Sequence, residues 1–396
     1  MTVDERATTE RATTASGAVD AAGPVASARA LQPLVRANAA RAEADANPAG
    51  EVIKAFVDAG LYRICLPAIY GGDEADPATT IEVIEAISEA DGATGWALMI
   101  GVETVGLGLA WAEPATAAKL VADNAGPVMA GALNPVGVAV PLPDGSYRVR
   151  GQWPFASGCM HADYFWGMCL VEGSGEMLEV IVPRTSYEVV PTWRVNGLRG
   201  SGSHDVRVDD LVVPPSMITH TRVAAPAHDG PLFRLPPYSR LAYNKVGVSL
   251  GIARAAIQSF IELCNAKTPR LASSLLRDRP RAQLAVAEAE AILRSARAFV
   301  MEASQDQWAT VVAGGRCDRH QRALVRLACS HAVQECCRAV QVLHAAAGTS
   351  PNPADSVLGR CFRDVHVVPQ HIMVAPQFIE GAGRVLLGMD PGELAF

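Results

Sequence analysis

The sequence predicts a mainly α protein with a central β region, its elements running helices, strands, helices along 396 residues. Three observations carry that expectation. Apolar residues recur at steps of three and four up to about residue 126, at steps of two between 127 and 235, and at three and four again from 236 to 396. With 49% hydrophobic and 19% charged residues the chain has ample apolar matter for a large core, which excludes a disordered protein or a charged coiled coil.

Residues 1–28 are rich in Ala, Thr and Gly without periodicity and are expected to form a disordered tail. In the first helical domain, 29–126, Leu31, Leu34, Val35 and Ala39 fall on one face, and Val52, Ala55, Phe56 and Ala59 repeat the pattern before Gly60 stops it. The β domain, 127–235, shows Tyr147, Val149, Gly151, Trp153 and Phe155 in alternation, a short apolar run at Val180–Val182, and Val206 and Val208 flanking Arg207. In the second helical domain, 236–396, one stripe runs Leu324, Ala328, Ala332, Cys336, Val340, Leu343 and Ala347, with Arg322, Arg326, Glu335 and Arg338 off it. Another runs Leu284, Ala287, Ala291 and Ala298, with Glu290 and Arg294 paired on the outer face.

Charge and motifs remove several classes of function. Lys+Arg 34 against Asp+Glu 41 gives −7, and no basic block is dense enough to track a phosphate backbone, so no nucleic-acid partner is expected. The longest apolar stretch, Thr94 to Ala110, is broken by Glu103, so no membrane span is expected. Nine scattered cysteines with no C-x-x-C pair point to reduced thiols in a cytoplasmic protein. There is no G-x-x-x-x-G-K-[ST] loop and no G-x-G-x-x-G after a strand, so no nucleotide held by either device is expected; there is no H-E-x-x-H and no carboxylate cluster with divalent-metal spacing, so no metal site is expected. Ser203, His204 and Asp205 are contiguous; neighbours on an extended chain point to opposite faces and cannot converge as a triad.

What remains is a series of short motifs spread over all three regions. Pro67-Ala-Ile-Tyr-Gly-Gly72, Gln152-Trp-Pro-Phe-Ala-Ser-Gly158, Gly197-Leu-Arg-Gly-Ser-Gly-Ser-His-Asp205, Ala339-Val-Gln-Val-Leu-His-Ala-Ala-Ala-Gly348 and Arg360-Cys-Phe-Arg-Asp364 occur in that order. The series resembles the acyl-CoA dehydrogenase fold, which implies an N-terminal helical domain, a middle β-barrel and a C-terminal four-helix bundle, usually as a homotetramer. Dehydrogenases of that fold with a C-terminal base carry it in Tyr-Glu-Gly-Thr eight residues after the Arg-Asp pair; here that count reaches Ile372, and Glu380 lies one segment later. The run Arg363-Asp-Val-His-Val-Val-Pro-Gln-His371 followed by Gly383-Arg-Val-Leu-Leu-Gly388 is more similar to the group D flavin-dependent monooxygenases, the oxygenase halves of two-component systems.

That resemblance implies hydroxylation of a small indolic or phenolic substrate by O2 through a flavin C4a-hydroperoxide, with reduced FMN or FAD supplied by an NAD(P)H:flavin reductase. It also implies the site. His371 would lie beside the reactive edge of the flavin, where an imidazole suits proton management. Ser157 would bond the N5 region, with Gly158 permitting close approach. Trp153 would cover the ring or the substrate, with Cys159 and His161 shaping the same pocket. Gln341 and Ala345 to Gly348 would meet the flavin phosphates, with Arg270 or Arg277 as the paired cation. Trp96, Met99 and Glu103 would line the substrate pocket, with Asn134 as a further polar contact. Several phenol hydroxylases carry a histidine near the position of Glu103; a buried carboxylate there would accept from an indole N–H or pair with an amine. The alternatives on this scaffold are an acyl-CoA dehydrogenase or oxidase acting on a thioester, an N-hydroxylase, and an S-oxygenase.

Overall fold

The computed structural model describes residues 23–124 and 126–392. Most of the segment expected as a tail, residues 1–22, lies outside the described residues, but its last part is helical. α1 (Gly23–Asp45) buries Ala28, Val35, Ala39 and Ala42. α2 (Gly50–Asp58) ends just before Gly60, whose φ of 70° is the left-handed conformation that glycine adopts without strain. α3 (Pro77–Ala90) and α4 (Gly92–Trp111) begin at aspartate caps: the Asp76 carboxylate accepts from Thr79 N and the Asp91 carboxylate from Thr94 N, both at 2.9 Å. α5 (Pro114–Asn124) completes the first helical region.

α4 is buried on every side. It is long and apolar enough to cross a membrane, as is the longer helix α7 (Pro237–Ala266), but its apolar surface is wholly covered by protein. Its glycines make that enclosure possible: a Cβ at Gly101 would lie 2.4 Å from Tyr62 Cε1, and one at Gly95 only 1.9 Å from Ser88 Oγ.

The central region is β1 (Met129–Pro141), β2 (Tyr147–Trp153), β3 (Tyr164–Val171), β4 (Met177–Pro183), β5 (Glu188–Val190), β6 (Asp205–Val213) and β7 (Ile218–Thr219). They form one sheet in the order β5-β6-β2-β1-β3-β4-β7, with β1 parallel to β3 and every other pair antiparallel. The expected barrel is therefore corrected to an open mixed sheet. β2 and β3 flank β1 on opposite sides, so the sheet grows outward both ways and ends in β5 and β7, strands of three and two residues that do not meet. Closure needs tilt and stagger shared by a complete ring of strands. The period-two reading does hold locally: Val149 and Trp153 point into the core, and Val206 and Val208 are buried while Arg207 pairs outside with Glu188.

The last region comprises α6 (Pro231–Arg234), α7, α8 (Pro280–Val312), α9 (Arg319–Ala347), α10 (Val357–Val365) and α11 (Gln377–Leu386). One apolar core joins α3 and α4 to α7, α8, α9 and α10. Along α9 the stripe from Ala328 to Ala347 is buried as the spacing predicts, but Arg326, expected off it, is only 1% exposed. On α8 the phase is corrected. Ala282, Ala285, Ala289, Leu293, Ala296 and Val300 face inward, whereas Ala287, Ala291 and Ala298 face outward and Leu284 is 70% exposed. Alanine occupies both faces of this helix, so spacing alone does not fix which is buried. The Glu290–Arg294 pair forms at 2.6 Å, and Arg254 joins it. All nine cysteines are free thiols.

Packing of α7 on α3 depends on Gly251, where a Cβ would lie 2.4 Å from Glu85 O. Gly251→Ala should destabilise the protein by roughly 2 kcal/mol in urea unfolding. Gly50→Ala, with nothing within 4 Å of the new methyl group, should stay within about 0.5 kcal/mol of the parent.

Candidate active site

Three elements far apart in sequence meet at Trp96. From α4 its Nε1 donates to Ser157 Oγ at 3.0 Å, and its ring meets His371 edge to face, with centroids 5.6 Å apart. Ser157 sits in the loop after β2, where Phe155 and Gly158 both have positive φ, 62° and 79°. His371 joins two short 3-10 turns, Val368–Gln370 and Ile372–Val374, beyond α10.

Ser157 is the end of a chain of buried hydroxyls. Its Oγ lies 2.7 Å from Ser203 Oγ, which lies 2.8 Å from Ser201 Oγ, which donates to Leu198 O at 2.8 Å. A carbonyl only accepts, so the direction is fixed: Ser157 donates to Ser203, Ser203 to Ser201, and Ser201 to Leu198. With Trp96 already donating to it, Ser157 Oγ keeps one lone pair for a ligand. The loop carrying these serines is tied to α10. Leu198, at φ 52°, donates its N–H to Asp364 Oδ1 at 2.6 Å, and a Cβ at Gly197 would lie 2.2 Å from Arg363 O. Burial and the neighbouring Asp91 push the Asp364 carboxyl up to about 7, against the pull of Leu198 N–H and Arg360.

His371 Nδ1 accepts from Met373 N at 3.2 Å, which leaves the ring proton on Nε2. Burial, with the positive charges of Lys245 and Arg326 nearby, holds the imidazole well below its ordinary pKa, so at neutral pH it is an uncharged Nε2–H donor.

Glu103 lies on the Trp96 face of α4 and is 5% exposed, with both carboxylate oxygens taken by Lys245 Nζ of α7, 2.6 Å from Oε1. The partner expected to be a substrate N–H or amine is thus a lysine of the chain itself. Burial raises the Glu103 pKa and lowers that of Lys245, and their pairing opposes both shifts. Arg326 donates from Nη1 to Tyr238 O at 2.9 Å and stacks 3.5 Å over the Phe378 ring; burial lowers its pKa to about 10.

Of the residues singled out from sequence, the fold brings Trp96, Ser157 and His371 together, with Met99 fully buried in the same cluster as Trp96. Gly158 packs beside His161, whose Nδ1 faces Asn47 Oδ1 at 3.0 Å and whose pKa burial lowers to about 4. Trp153 is enclosed in the core of the sheet, donating Nε1 to Met168 O at 2.7 Å, so its indole packs strands rather than covering a ligand. Asn134 is exposed where β1 breaks register with β3 between Ala132 and Gly137. Gln341 is exposed and bonds His366 at 2.8 Å, Ala345 O accepts from Arg281 at 3.1 Å, and Gly348 ends α9 at φ 66°. Arg270 is exposed in the turn after α7, and Arg277 reaches Asn265 at 3.3 Å. Sequence reasoning missed Ser201, Ser203, Lys245, Arg326 and Asp364. It also missed the contact of Phe155, 63% exposed, with Trp193 at 6.2 Å. Ser201, Ser203 and Asp364 stand inside the ordered motifs without a role being read from them, and Lys245 carries a signal as one of only four lysines, set in the apolar run of α7.

The chain matches the family models for the acyl-CoA dehydrogenase N-terminal domain over residues 26–122 and the acyl-CoA dehydrogenase C-terminal domain over 245–376. It is 35% identical over 348 residues to an indole-3-acetate monooxygenase of Pseudomonas putida, covering 86% of this chain and 87% of that one. It is 25% identical over 387 residues to the flavin-dependent monooxygenase oxygenase subunit HsaA of Mycobacterium tuberculosis, covering 94% of this chain and 98% of that one. The fold superposes on XiaF from Streptomyces, solved with FADH2 and glycerol, with a TM-score of 0.87 at 21% identity over 94% of this chain and 97% of that one.

Glu103→Gln should cost about 3–5 kcal/mol in urea unfolding because it strands a buried ammonium, whereas the double change Glu103→Leu with Lys245→Met should recover most of the loss. Asp364→Asn should gain on the parent by about 2 kcal/mol between about pH 5.5 and pH 8. The sign follows from the raised pKa: the parent holds this proton when folded near pH 5.5 and must ionise a buried group as pH passes about 7. Unfolding curves at the two pH values check it.

Proposed function

The chain belongs to the flavin-dependent monooxygenases built on the acyl-CoA dehydrogenase fold, and from that membership we propose how its own residues carry the reaction. It is an oxygenase component that uses reduced FMN or FAD and O2 to place one oxygen atom on a small indolic or phenolic substrate, with the flavin delivered by a partner NAD(P)H:flavin reductase. Reduced flavin supplies the electrons that activate O2; the protein supplies orientation, hydrogen bonds and a dry site.

The observation that carries the site assignment is the lone pair left on Ser157 Oγ. Its own proton is committed to Ser203, so toward a ligand Ser157 acts as an acceptor. Flavin N5 bears a hydrogen in the reduced form and none in the oxidised form, so an acceptor here favours the reduced state. His371 offers the complementary group, a neutral Nε2–H that steadies negative charge developing on oxygen without releasing a proton of its own. Phe155, exposed next to this loop and braced by Trp193, supplies a flat wall for the ring, while Gly158 leaves room for it. The end of α9, with Gln341, Ala345 and Gly348, and the exposed Arg270 suit the phosphate end. Trp96 and Met99 form the apolar side of the substrate subsite.

Desaturation of a thioester fits less well. The position of the dehydrogenase base holds Ile372, and Glu380 is exposed on α11 rather than enclosed beside Ser157. The outward stripe of Leu284, Ala287, Ala291 and Ala298 borders a groove lined by Ile261, Cys264, Val286 and Ala287 with Asn265, Arg277, Gln283 and Glu290, a surface that another copy would cover in the homotetramer the resemblance implies. Nine free thiols fit a cytoplasmic setting.

With a generic flavin reductase, NADH and indole, isotope-labelled O2 should leave one labelled oxygen atom in the product. Direct reduction of the purified protein by an acyl-CoA, without reductase, would refute the assignment. His371→Ala should lower product formed per NADH at least about fivefold and raise peroxide release to match. Ser157→Ala should weaken binding of reduced flavin about five- to tenfold and of oxidised flavin less, measured by anaerobic titration.

A further inference from the structure

Arg326 is 1% exposed, yet its Nε and Nη2 have no hydrogen-bond partner. These are not arbitrary atoms. Nε–H and Nη2–H point along one edge of the guanidinium, the fork that grips the two oxygens of a carboxylate side by side. The chain fills the same fork elsewhere: Arg234 uses Nε and Nη2 on Asp229 Oδ1 and Oδ2, both at 2.7 Å. On Arg326 the third nitrogen is spent on Tyr238 O, the face is spent on Phe378, and the forked edge is left over.

Its surroundings make the open edge specific. Lys245, the neighbouring buried cation, is already neutralised by Glu103, and among the described residues no carboxylate pairs with Arg326. Ser330 Oγ, one turn along the same face of α9, is also buried without a partner. The position is near the reacting site as well: Tyr238, which holds Arg326, and Met373, whose N–H holds His371, pack against the same apolar cluster, and the Arg326 charge is close enough to act on the His371 ring.

Resting on the monooxygenase reading above, we propose that the preferred substrate is an aromatic acid whose short side-chain carboxylate is gripped by Arg326 Nε and Nη2, with the ring held toward Trp96 and His371. The Glu103–Lys245 pair then has a defined part. It cancels the second buried cation, so that a single negative charge satisfies the site, and a neutral aromatic lacks the group that Arg326 needs.

The test compares indole-3-acetate with indole as binding probes, followed by tryptophan fluorescence of the full chain. The parent should bind the acid about 10- to 100-fold more tightly than indole, Arg326→Gln should abolish that gap with little change for indole, and Arg326→Lys should restore part of it. No preference for the acid in the parent overturns the proposal, as does an equal loss for both probes in Arg326→Gln when Arg326→Lys gives no rescue. Displacement of the acid by equimolar acetate also overturns it, because the fork would then be a site for free small anions. Oxygen insertion into indole without preference for the acid leaves the monooxygenase reading standing and removes only this one, whereas failure of oxygen insertion with both probes removes the former.

Discussion

The rest of the structure is arranged around the burial of α4. A helix that is apolar on every face has no side to give to water, so it must be covered all round, here by α3, by α7 and by the sheet. Glycines at the contacts let those neighbours approach to van der Waals distance, and that closeness brings Trp96 against Ser157 and His371. The one carboxylate on this helix, Glu103, could not be buried there alone, and Lys245 of α7 answers it. The same constraint therefore builds the core and places the site.

Around that helix the polar groups divide into those the protein satisfies itself and those it leaves open. The serine chain ends in a carbonyl, the Glu103–Lys245 pair closes on itself, and Asp364 is spent on the Leu198 amide. Among the groups left open are a lone pair on Ser157, the Nε2–H of His371 and one edge of Arg326, with further buried atoms such as Tyr62 Oη, Ser88 Oγ and Asn244 Oδ1 also without a partner. Interiors seldom leave such groups unmatched, because each costs free energy until a ligand or a bound water pairs with it. The chemistry of the first three is complementary: an acceptor, a neutral donor and a cationic fork, set around an apolar wall. Burial keeps His371 from taking up a proton, and the nearby charges of Lys245 and Arg326 add to that effect.

Much of this was legible in the residues. Periodicity locates helices, strands and helices, the ordered short motifs point to the fold and contain Ser157, and the resemblance they carry implies Trp96 and His371. The failures have physical causes. On α8 the spacing selects the outward face because alanine is small enough to sit on either. The barrel is an expectation of the family resemblance, not of the alternation, which reports which way side chains point and says nothing of which strands become neighbours; the sheet is open. Arg326 looked like a surface residue because a charged side chain beside an apolar stripe usually is one.

By itself, then, the sequence determined the local periods, the caps at Asp76 and Asp91, the turns at glycine and the residue types available for chemistry, because each of these depends on neighbours within a few positions. Only the tertiary structure decided which groups are paired and which are left open. Lys245 meets Glu103 across 142 residues, Asp364 meets Leu198 across 166, and Trp96 meets Ser157 across 61. Burial changes what a side chain does, turning a histidine into a neutral donor and an arginine into an unfilled fork, and burial is a property of the packed whole.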